Sequence, residues 1–153
     1  MNDTMNDNID QATYDIIKVY IAQTQSAIKI SETICKHSDR DELSGDDILC
    51  GLVYRLMVPM TDNEMQECMN SADEILEGEE SSDEDDKEEF IDEIKILENS
   101  EWRQIKSNHC NCDICCQVRV KLLNYESYEP MDILSERFKN SIKETSEKYK
   151  III

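Results

Sequence analysis

The sequence predicts an all-α protein. We expect a long helix, a short loop and a shorter helix, followed by an extra helix and a small helical C-terminal region stapled by zinc. Three observations support this class. Apolar residues recur at the 3.6-residue spacing of amphipathic helices in several segments. Helix N-cap signals precede the second and third of these segments. A dense cluster of Cys and His occupies the last third of the chain.

The long helix is predicted over about residues 11–36, which is far longer than the average helix of about 11–12 residues. Its stripe of apolar or small residues comprises Ile16, Ile17, Tyr20, Thr24, Ala27, Ile28, Ile34 and Cys35. Residues 1–10 are polar and rich in Asn and Asp, and we expect them to form an N-terminal tail. An ordinary helical hairpin in a small bundle would show a similar pattern.

The residues between the first two helices carry the most specific local signal. Leu43 anchors a short extended loop, and Ser44 is a helix N-cap. Acidic residues follow Ser44 in the first turn, where the helix dipole favours negative charge. Arg40 and Asp47 lie on opposite sides of this turn. A bidentate guanidinium–carboxylate pair between them would act as a structural clamp that holds the loop on the following helix.

The order Arg-x-x-aliphatic-Ser/Thr-x-x-Asp-aliphatic, which runs from Arg40 to Ile48, resembles the junction of loop 2 and helix 3 in the histone fold. In that family the Arg–Asp pair is a fixed internal clamp. The resemblance covers about residues 11–57, and it implies a histone-fold-like dimerisation module over residues 11–77. The implied partner is another histone-fold chain or a second copy of this chain. The short first helix of the histone fold has no evident counterpart, because only residues 1–10 precede the long helix.

The apolar excess on the long helix predicts a dimer interface. Val19, Ile21 and Ile30 lie off the main stripe, so the helix carries more apolar surface than one partner face needs. A lone hairpin would expose a larger apolar patch than soluble monomers usually tolerate. We therefore expect a partner to cover the stripe at Ile16, Ile17, Tyr20 and Ile28.

An extra helix is predicted after Pro59. Thr61 and Glu64 have the spacing of a capping box. The apolar face that follows comprises Met65, Cys68, Met69, Ala72, Ile75 and Leu76. We expect the helix to end before Gly78. It resembles the additional helix that many histone-fold proteins pack on the dimer, and an ordinary further core helix would look almost the same.

Residues 78–89 are predicted to be an acidic linker. Two serines and nearly unbroken carboxylates cannot bury enough apolar surface to fold by themselves. Ser81 and Ser82 precede a run of carboxylates, which fits the preference of an acidophilic kinase. The alternative is that this tract mimics nucleic acid and binds a basic protein such as a histone tail.

Residues 90–153 are predicted to form a small helical Cys/His domain. Apolar residues at helical spacing before the cluster are Phe90, Ile94, Leu97, Trp102 and Ile105. Those after the cluster are Val118, Leu122, Leu123, Ile133, Leu134, Phe138 and Ile142. A turn containing Tyr125 and Tyr128 ends at Pro130, and Met131 or Asp132 begins the last helix.

The Cys/His cluster predicts a zinc site. Cys112 and Cys115 have the knuckle spacing that lets two thiolates bind one tetrahedral Zn²⁺. The other candidate ligands in the same run are His109, Cys110 and Cys116. Ligands packed so closely leave little backbone to wrap the ion, so the fourth ligand can come from elsewhere. The distant candidates are Cys35, His37, Cys50 and Cys68. Redox or catalytic thiols and unliganded packing are the alternatives.

Composition and charge argue against several functions. The net charge of −19 opposes DNA binding, which needs clustered Lys and Arg, so no direct sequence-specific contact with nucleic acid is expected. No apolar run approaches the roughly 20 residues of a membrane span, and the N-terminus lacks the pattern of a secretory signal. Seven cysteines without an export signal favour reduced thiols. With three glycines and no phosphate loop, nucleophile elbow or apolar carboxylate pair, the sequence does not predict an enzyme.

These features predict a non-enzymatic protein–protein interaction subunit of a transcription or chromatin assembly. The alternative is an acidic histone chaperone or nucleic-acid mimic that binds basic proteins through residues 79–89. Either role implies an intracellular location, in the nucleus or at another site of transcription such as a viral factory.

Overall fold

The computed structural model describes residues 3–78, 103–104 and 109–153, and the fold in these residues is almost entirely helical. The helices are α1 (Asp3–Lys36), α2 (Gly45–Met57), α3 (Asp62–Gly78), α4 (Asp113–Asn124) and α5 (Ile133–Lys148). Two short strands, β1 (Arg103–Gln104) and β2 (Ile151–Ile152), pair in parallel. The predicted all-α class is confirmed.

Helix α1 ends at Lys36, as the apolar stripe predicts, but it begins earlier than expected. It starts at Asp3 and contains 34 residues. Most of the segment predicted to be a polar tail is therefore the first part of this helix. No proline or glycine interrupts residues 3–11, so nothing in the backbone chemistry stops the helix there.

Helices α1 and α2 cross in close contact at Gly51. A Cβ atom at this position would lie 2.2 Å from the carbonyl oxygen of Ala27 and 2.2 Å from Oγ of Ser31. Ser31 is buried, and its hydroxyl donates a hydrogen bond of 2.7 Å to the same Ala27 carbonyl. The absence of a side chain at Gly51 thus sets the distance between the two helices.

Helix α2 is the centre of the core. On one side, Cys50 and Tyr54 belong to a buried cluster with Ile34 of α1 and Val118 of α4. On the other side, its apolar residues belong to a second buried cluster, which comprises Leu49, Val53, Tyr125, Ile142 and Ile151. Residues 109–153, the larger described part of the predicted Cys/His domain, therefore share a core with the N-terminal helices. Since α2 carries large apolar residues on both sides, it needs α4 and α5 to cover the side that α1 leaves open.

Helix α3 packs against α1 through small residues. Ala22 of α1 is buried with Cys68 and Ala72 of α3, and nearby Lys18 forms an ion pair of 2.6 Å with Asp73.

The predicted capping box at the start of α3 is confirmed. The Thr61 hydroxyl accepts a hydrogen bond from the backbone N–H of residue 64, and the Glu64 carboxylate accepts one from the backbone N–H of residue 61. The helix runs one residue further than expected and includes Gly78.

The segment before the Cys/His cluster differs from its prediction where it is described. Residues 103–104 lie in strand β1, although helical spacing was predicted there, because the backbone of Arg103 pairs with that of Ile151. The rest of the helix predicted over residues 90–105 and the acidic tract of residues 79–89 lie outside the described residues. In the described part of the chain, no helix has the length and apolar character that a membrane span requires.

Candidate metal centre

Four side chains that offer metal ligands converge at one end of the helical core. His37, Cys110, Cys112 and Cys115 each present one ligand atom, and these atoms all lie within 4.8 Å of one another. Cys112 and Cys115 were predicted as ligands from their knuckle spacing, and Cys110 was a further candidate in the same run. His37 was one of the distant candidates for the fourth position. This group can therefore hold a metal ion with three sulfur ligands and one nitrogen ligand.

The two halves of the site come from distant parts of the sequence. His37 follows the last residue of α1 and stays in its helical turn, since its backbone N–H donates to the carbonyl of Thr33 at 3.0 Å. Cys112 is the N-cap of α4, and Cys115 lies in the first turn of that helix. The packing of Ile34 and Cys50 on Val118 and Ile114 brings the end of α1 to the start of α4.

The imidazole of His37 lies nearly equidistant from the three thiols. Its Nδ1 atom is 3.4 Å from Sγ of Cys110, 3.2 Å from Sγ of Cys112 and 3.4 Å from Sγ of Cys115. Three nearly equal distances from one nitrogen are expected when the four atoms surround a common centre. Cys115 is buried and His37 is exposed, so the centre lies at the edge of the core.

Backbone N–H groups point at two of the sulfur atoms. The N–H of residue 112 donates to Sγ of Cys110, and the N–H of residue 115 donates to Sγ of Cys112, both at 3.4 Å. The hydrogen bond from the Cys115 backbone, with smaller contributions from the Cys115 and Cys110 side chains and from His37, lowers the pKa of Cys112 to about 7. The helix N-terminus also favours a thiolate here. The site thus favours the thiolate form of Cys112, which is the form that binds a metal ion.

Two residues predicted as ligands, His109 and Cys116, do not join the group of four. His109 is exposed in the segment before α4. Cys116 immediately follows Cys115 on α4, so the helix turns its side chain away by about 100°, as the 3.6-residue repeat requires. Its sulfur instead accepts a hydrogen bond of 3.2 Å from the Arg119 guanidinium.

The remaining cysteines have structural positions. The Cys35 thiol is buried and lies 3.3 Å from the carbonyl oxygen of Arg40 and 3.1 Å from that of Glu42, to which it can donate. Cys68 is buried against α1. Burial, together with the nearby carboxylates Asp47 and Asp46, raises the pKa of Cys50 to about 12, so this thiol stays protonated at neutral pH.

The predicted clamp is confirmed, and it orders the loop that follows His37. The Arg40 guanidinium donates to both carboxylate oxygens of Asp47, at 2.8 Å and 2.5 Å. Asp47 also accepts from the backbone N–H of Ser44, whose hydroxyl in turn caps α2. Burial opposes ionisation of Asp47, but the hydrogen bonds from Arg40 and Ser44 outweigh it and lower the pKa of the carboxyl. The same pair raises the pKa of Arg40.

The residues predicted at a dimer interface are partly exposed on α1. Ile16 and Ile17 are each 45% exposed, and Ile28 is 37% exposed. Tyr20 is half-buried and lines a cavity between α1, α2 and α5. The interface itself stays a prediction.

No family model, curated protein or solved structure matches this chain. The interpretation of the site therefore rests on its own geometry and chemistry.

Proposed function

We propose that this chain is a non-enzymatic interaction subunit of a transcription or chromatin assembly, and that a structural zinc ion fastens its helical core. The observation that carries the zinc part of the proposal is the convergence of His37, Cys110, Cys112 and Cys115. Zinc is the metal that three thiolates and one imidazole typically bind in proteins, with tetrahedral geometry.

The distances support zinc. In a tetrahedral site with bonds of about 2.3 Å to sulfur and about 2.0–2.1 Å to nitrogen, a nitrogen and a sulfur ligand lie about 3.5 Å apart. The separations of 3.2–3.4 Å between Nδ1 of His37 and the three sulfurs are close to this value. Four protein ligands leave no coordination position open for a substrate, which favours a structural role over a catalytic one.

The exposed part of α1 supports a partner-binding role. At 34 residues, α1 is about 51 Å long, whereas the 13 residues of α2 extend only about 20 Å. Ile16 precedes the buried residues Ala27 and Ile34 by three and five helical turns, so it continues the face that α2 covers further along. An apolar face that extends beyond the neighbouring helix is a surface on which a partner helix can pack.

The type of assembly follows from the resemblance to the histone fold. The Arg40–Asp47 clamp and the Ser44 cap have the geometry that the motif implies. The net charge of −19 disfavours direct contact with DNA, so the expected partner is a second histone-fold chain or another copy of this chain. The expected location is the nucleus or another site of transcription, such as a viral factory.

The metal is tested by elemental analysis of protein purified under reducing conditions. We expect one equivalent of zinc per chain, and its loss in His37→Ala and Cys115→Ser. The matched controls are His109→Ala and Cys116→Ser, which lie near the site but outside the group of four, and they should retain the zinc. Wild-type protein with well under one equivalent, or loss of zinc only in the two controls, would contradict the proposed site.

The partner surface is tested by native mass measurement of the complex purified from cells. Ile16→Asp should reduce the complex to the single chain, because it would bury an unpaired charge at the interface. Since Ile16 is already 45% exposed, the substitution should leave the fold intact. Leu123→Asp on α4, where the side chain is 85% exposed, is the control and should leave the complex unchanged. A complex that survives Ile16→Asp would exclude this face.

A further inference from the structure

The side chains of the Cys/His group differ in how well solvent reaches them. Cys115 is buried, with 1% of its surface exposed, whereas Cys110 and Cys112 are half-buried and His37 is exposed. Cys112 is also the N-cap of α4, and a helix N-terminus favours a reactive thiolate. A small oxidant in solution therefore reaches Cys112 more readily than it reaches Cys115.

Cys112 and Cys115 are placed to form a disulfide with each other. The backbone N–H of residue 116 donates to the carbonyl of residue 112 at 3.0 Å, so the two cysteines lie in one helical turn. Cα atoms three residues apart in such a turn are about 5 Å apart, within the range of about 4.4–6.8 Å that a disulfide requires. The N–H of residue 115 donates to Sγ of Cys112 at 3.4 Å, which holds this sulfur beside Cys115.

We propose that the Cys/His group is a redox switch, in which a peroxide joins Cys112 to Cys115 and thereby releases the zinc ion. The inference rests on the zinc site of the proposed function and adds the regulation of that site. The oxidant is hydrogen peroxide, and the reductant that reverses the step is a dithiol.

The oxidation proceeds in two displacements. The Cys112 thiolate attacks one oxygen of hydrogen peroxide, so an S–O bond forms, the O–O bond breaks, and the leaving hydroxide takes a proton to become water. The Cys115 thiolate then attacks the sulfur of the Cys112 sulfenic acid, so the S–S bond forms and a second hydroxide leaves as water. The two thiolates lose two electrons, and one peroxide with two protons becomes two molecules of water.

The disulfide removes two of the four ligands. Only His37 and Cys110 of the group could still bind the ion, and a structural zinc site needs four protein ligands. The ion therefore leaves, and the link between the end of α1 and the start of α4 is lost. The buried cluster that includes Ile34 and Val118 still joins these helices, so the oxidised protein should remain folded but less stable.

The test uses the full chain, purified under reducing conditions, loaded with zinc and mixed with a colorimetric zinc indicator. Hydrogen peroxide should release the bound zinc, and the intact mass should fall by two hydrogen atoms per chain. Peptide mapping without reduction should place the disulfide between Cys112 and Cys115. The thermal midpoint should fall as it does on chelation, and a dithiol followed by zinc should restore it.

Two variants separate the switch from general oxidation. Cys112→His offers a fourth ligand but removes one thiol of the disulfide, so it should keep its zinc during the peroxide exposure that empties the wild type. Cys116→Ser is the matched control. It removes a neighbouring thiol that lies outside the group and accepts a hydrogen bond from Arg119, so it should release zinc as the wild type does. If Cys112→His does not bind zinc, the disulfide mapping of the wild type decides alone.

Three results would overturn the switch. These are zinc retained by the peroxide-treated wild type, zinc released with Cys112 as a sulfinic acid and no disulfide, or a disulfide between other cysteines. Each would leave the zinc site standing as a purely structural centre. A reduced wild-type protein that binds no zinc would instead contradict the proposed site itself, and the switch with it.

Discussion

Nδ1 of His37 lies 3.2 Å from Sγ of Cys112, although 75 residues separate the two in sequence. The contact joins the end of α1 to the N-cap of α4. A metal held there would link the N-terminal and C-terminal parts of the core directly. Its effect on stability should therefore extend to the whole fold and should not be confined to the C-terminal region.

Metal removal should destabilise the entire protein. In the chain-entropy model, a cross-link over this span contributes about 4 kcal/mol. For a chain of this size, that corresponds to a fall in thermal midpoint of roughly 10 °C or more on chelation. Calorimetry with and without a chelator measures this fall in thermal midpoint. His109→Ala is the control variant, and chelation should lower its midpoint as much as that of the wild type. Loss of amide protection in α4 alone, with α1 and α2 unaffected, would contradict the shared core.

Breaking the clamp should loosen the junction of α1 and α2. Arg40→Ala should cost about 1 kcal/mol, because the Arg40 side chain is still 41% exposed and solvent weakens the pair. Asp47→Ala should cost more, about 2 kcal/mol, since Asp47 also accepts the Ser44 backbone N–H. In a double-mutant cycle measured by urea unfolding, the two losses should be non-additive. Strict additivity would mean that the side chains do not interact in solution.

The stabilisation that the Arg40–Asp47 pair provides should also be lost at low pH. The pKa of Asp47 is lower in the folded protein than its ordinary value of about 4, so its ionised form favours folding. This contribution is fully present above pH of about 4 and disappears as the pH falls through the folded pKa. Urea unfolding between pH 7 and acid should show a smaller loss of stability in Asp47→Asn than in the wild type. An identical pH dependence in the two proteins would exclude this contribution.

Gly51→Ala should destabilise the crossing of α1 and α2. The new Cβ would lie 2.2 Å from both the Ala27 carbonyl oxygen and the Ser31 hydroxyl, so the helices must move apart, at a cost of about 1–3 kcal/mol. Gly45→Ala is the control, because nothing lies within 4 Å of its Cβ and alanine is the better helix former. Thermal unfolding measures the stability of both variants. Equal stability of Gly51→Ala and Gly45→Ala would mean that α1 and α2 are not in close contact at Gly51.

The thiols should differ strongly in reactivity in metal-free protein. Cys112, with its pKa lowered to about 7 by the Cys115 backbone N–H, is largely a thiolate above that pH and should be alkylated rapidly. Cys50, buried and with a pKa of about 12, should stay unmodified while the protein is folded. Peptide mass analysis after brief iodoacetamide treatment gives both rates. Added zinc should protect Cys112, and comparable labelling of Cys50 would indicate local unfolding.

Local sequence signals predicted the features that depend on local chemistry. Ser44 and Thr61 cap their helices as predicted, because a side-chain oxygen next to exposed N–H groups acts within one turn. Asp132, one of the two predicted starts of the last helix, also acts as an N-cap. The Arg40–Asp47 pair was predictable for the same reason, since seven residues separate the partners.

Features set by tertiary packing were not predictable in the same way. His37 could be proposed only as one of four distant ligands, because no local pattern connects it with Cys110, Cys112 and Cys115. The packing of α4 and α5 on α2 was also missed. An acidic run between two helical segments suggests separate domains, whereas the partners of Val53 are Tyr125 and Ile142, far along the chain. Strand β1 could not be predicted from local sequence, because it pairs with residues 151–152, which are distant along the chain.

The position of α2 between the two buried clusters limits the amino-acid substitutions that this helix can tolerate. Leu49 and Cys50 are neighbours in sequence, yet each belongs to a different cluster, and Gly51 beside them has no room for a side chain. Helix α2 therefore has little surface on which substitutions can accumulate, whereas residues 10–19 of α1 are mostly exposed. In a saturation library selected for folded protein, we expect tolerated substitutions to be rarer in α2 than over residues 10–19 of α1.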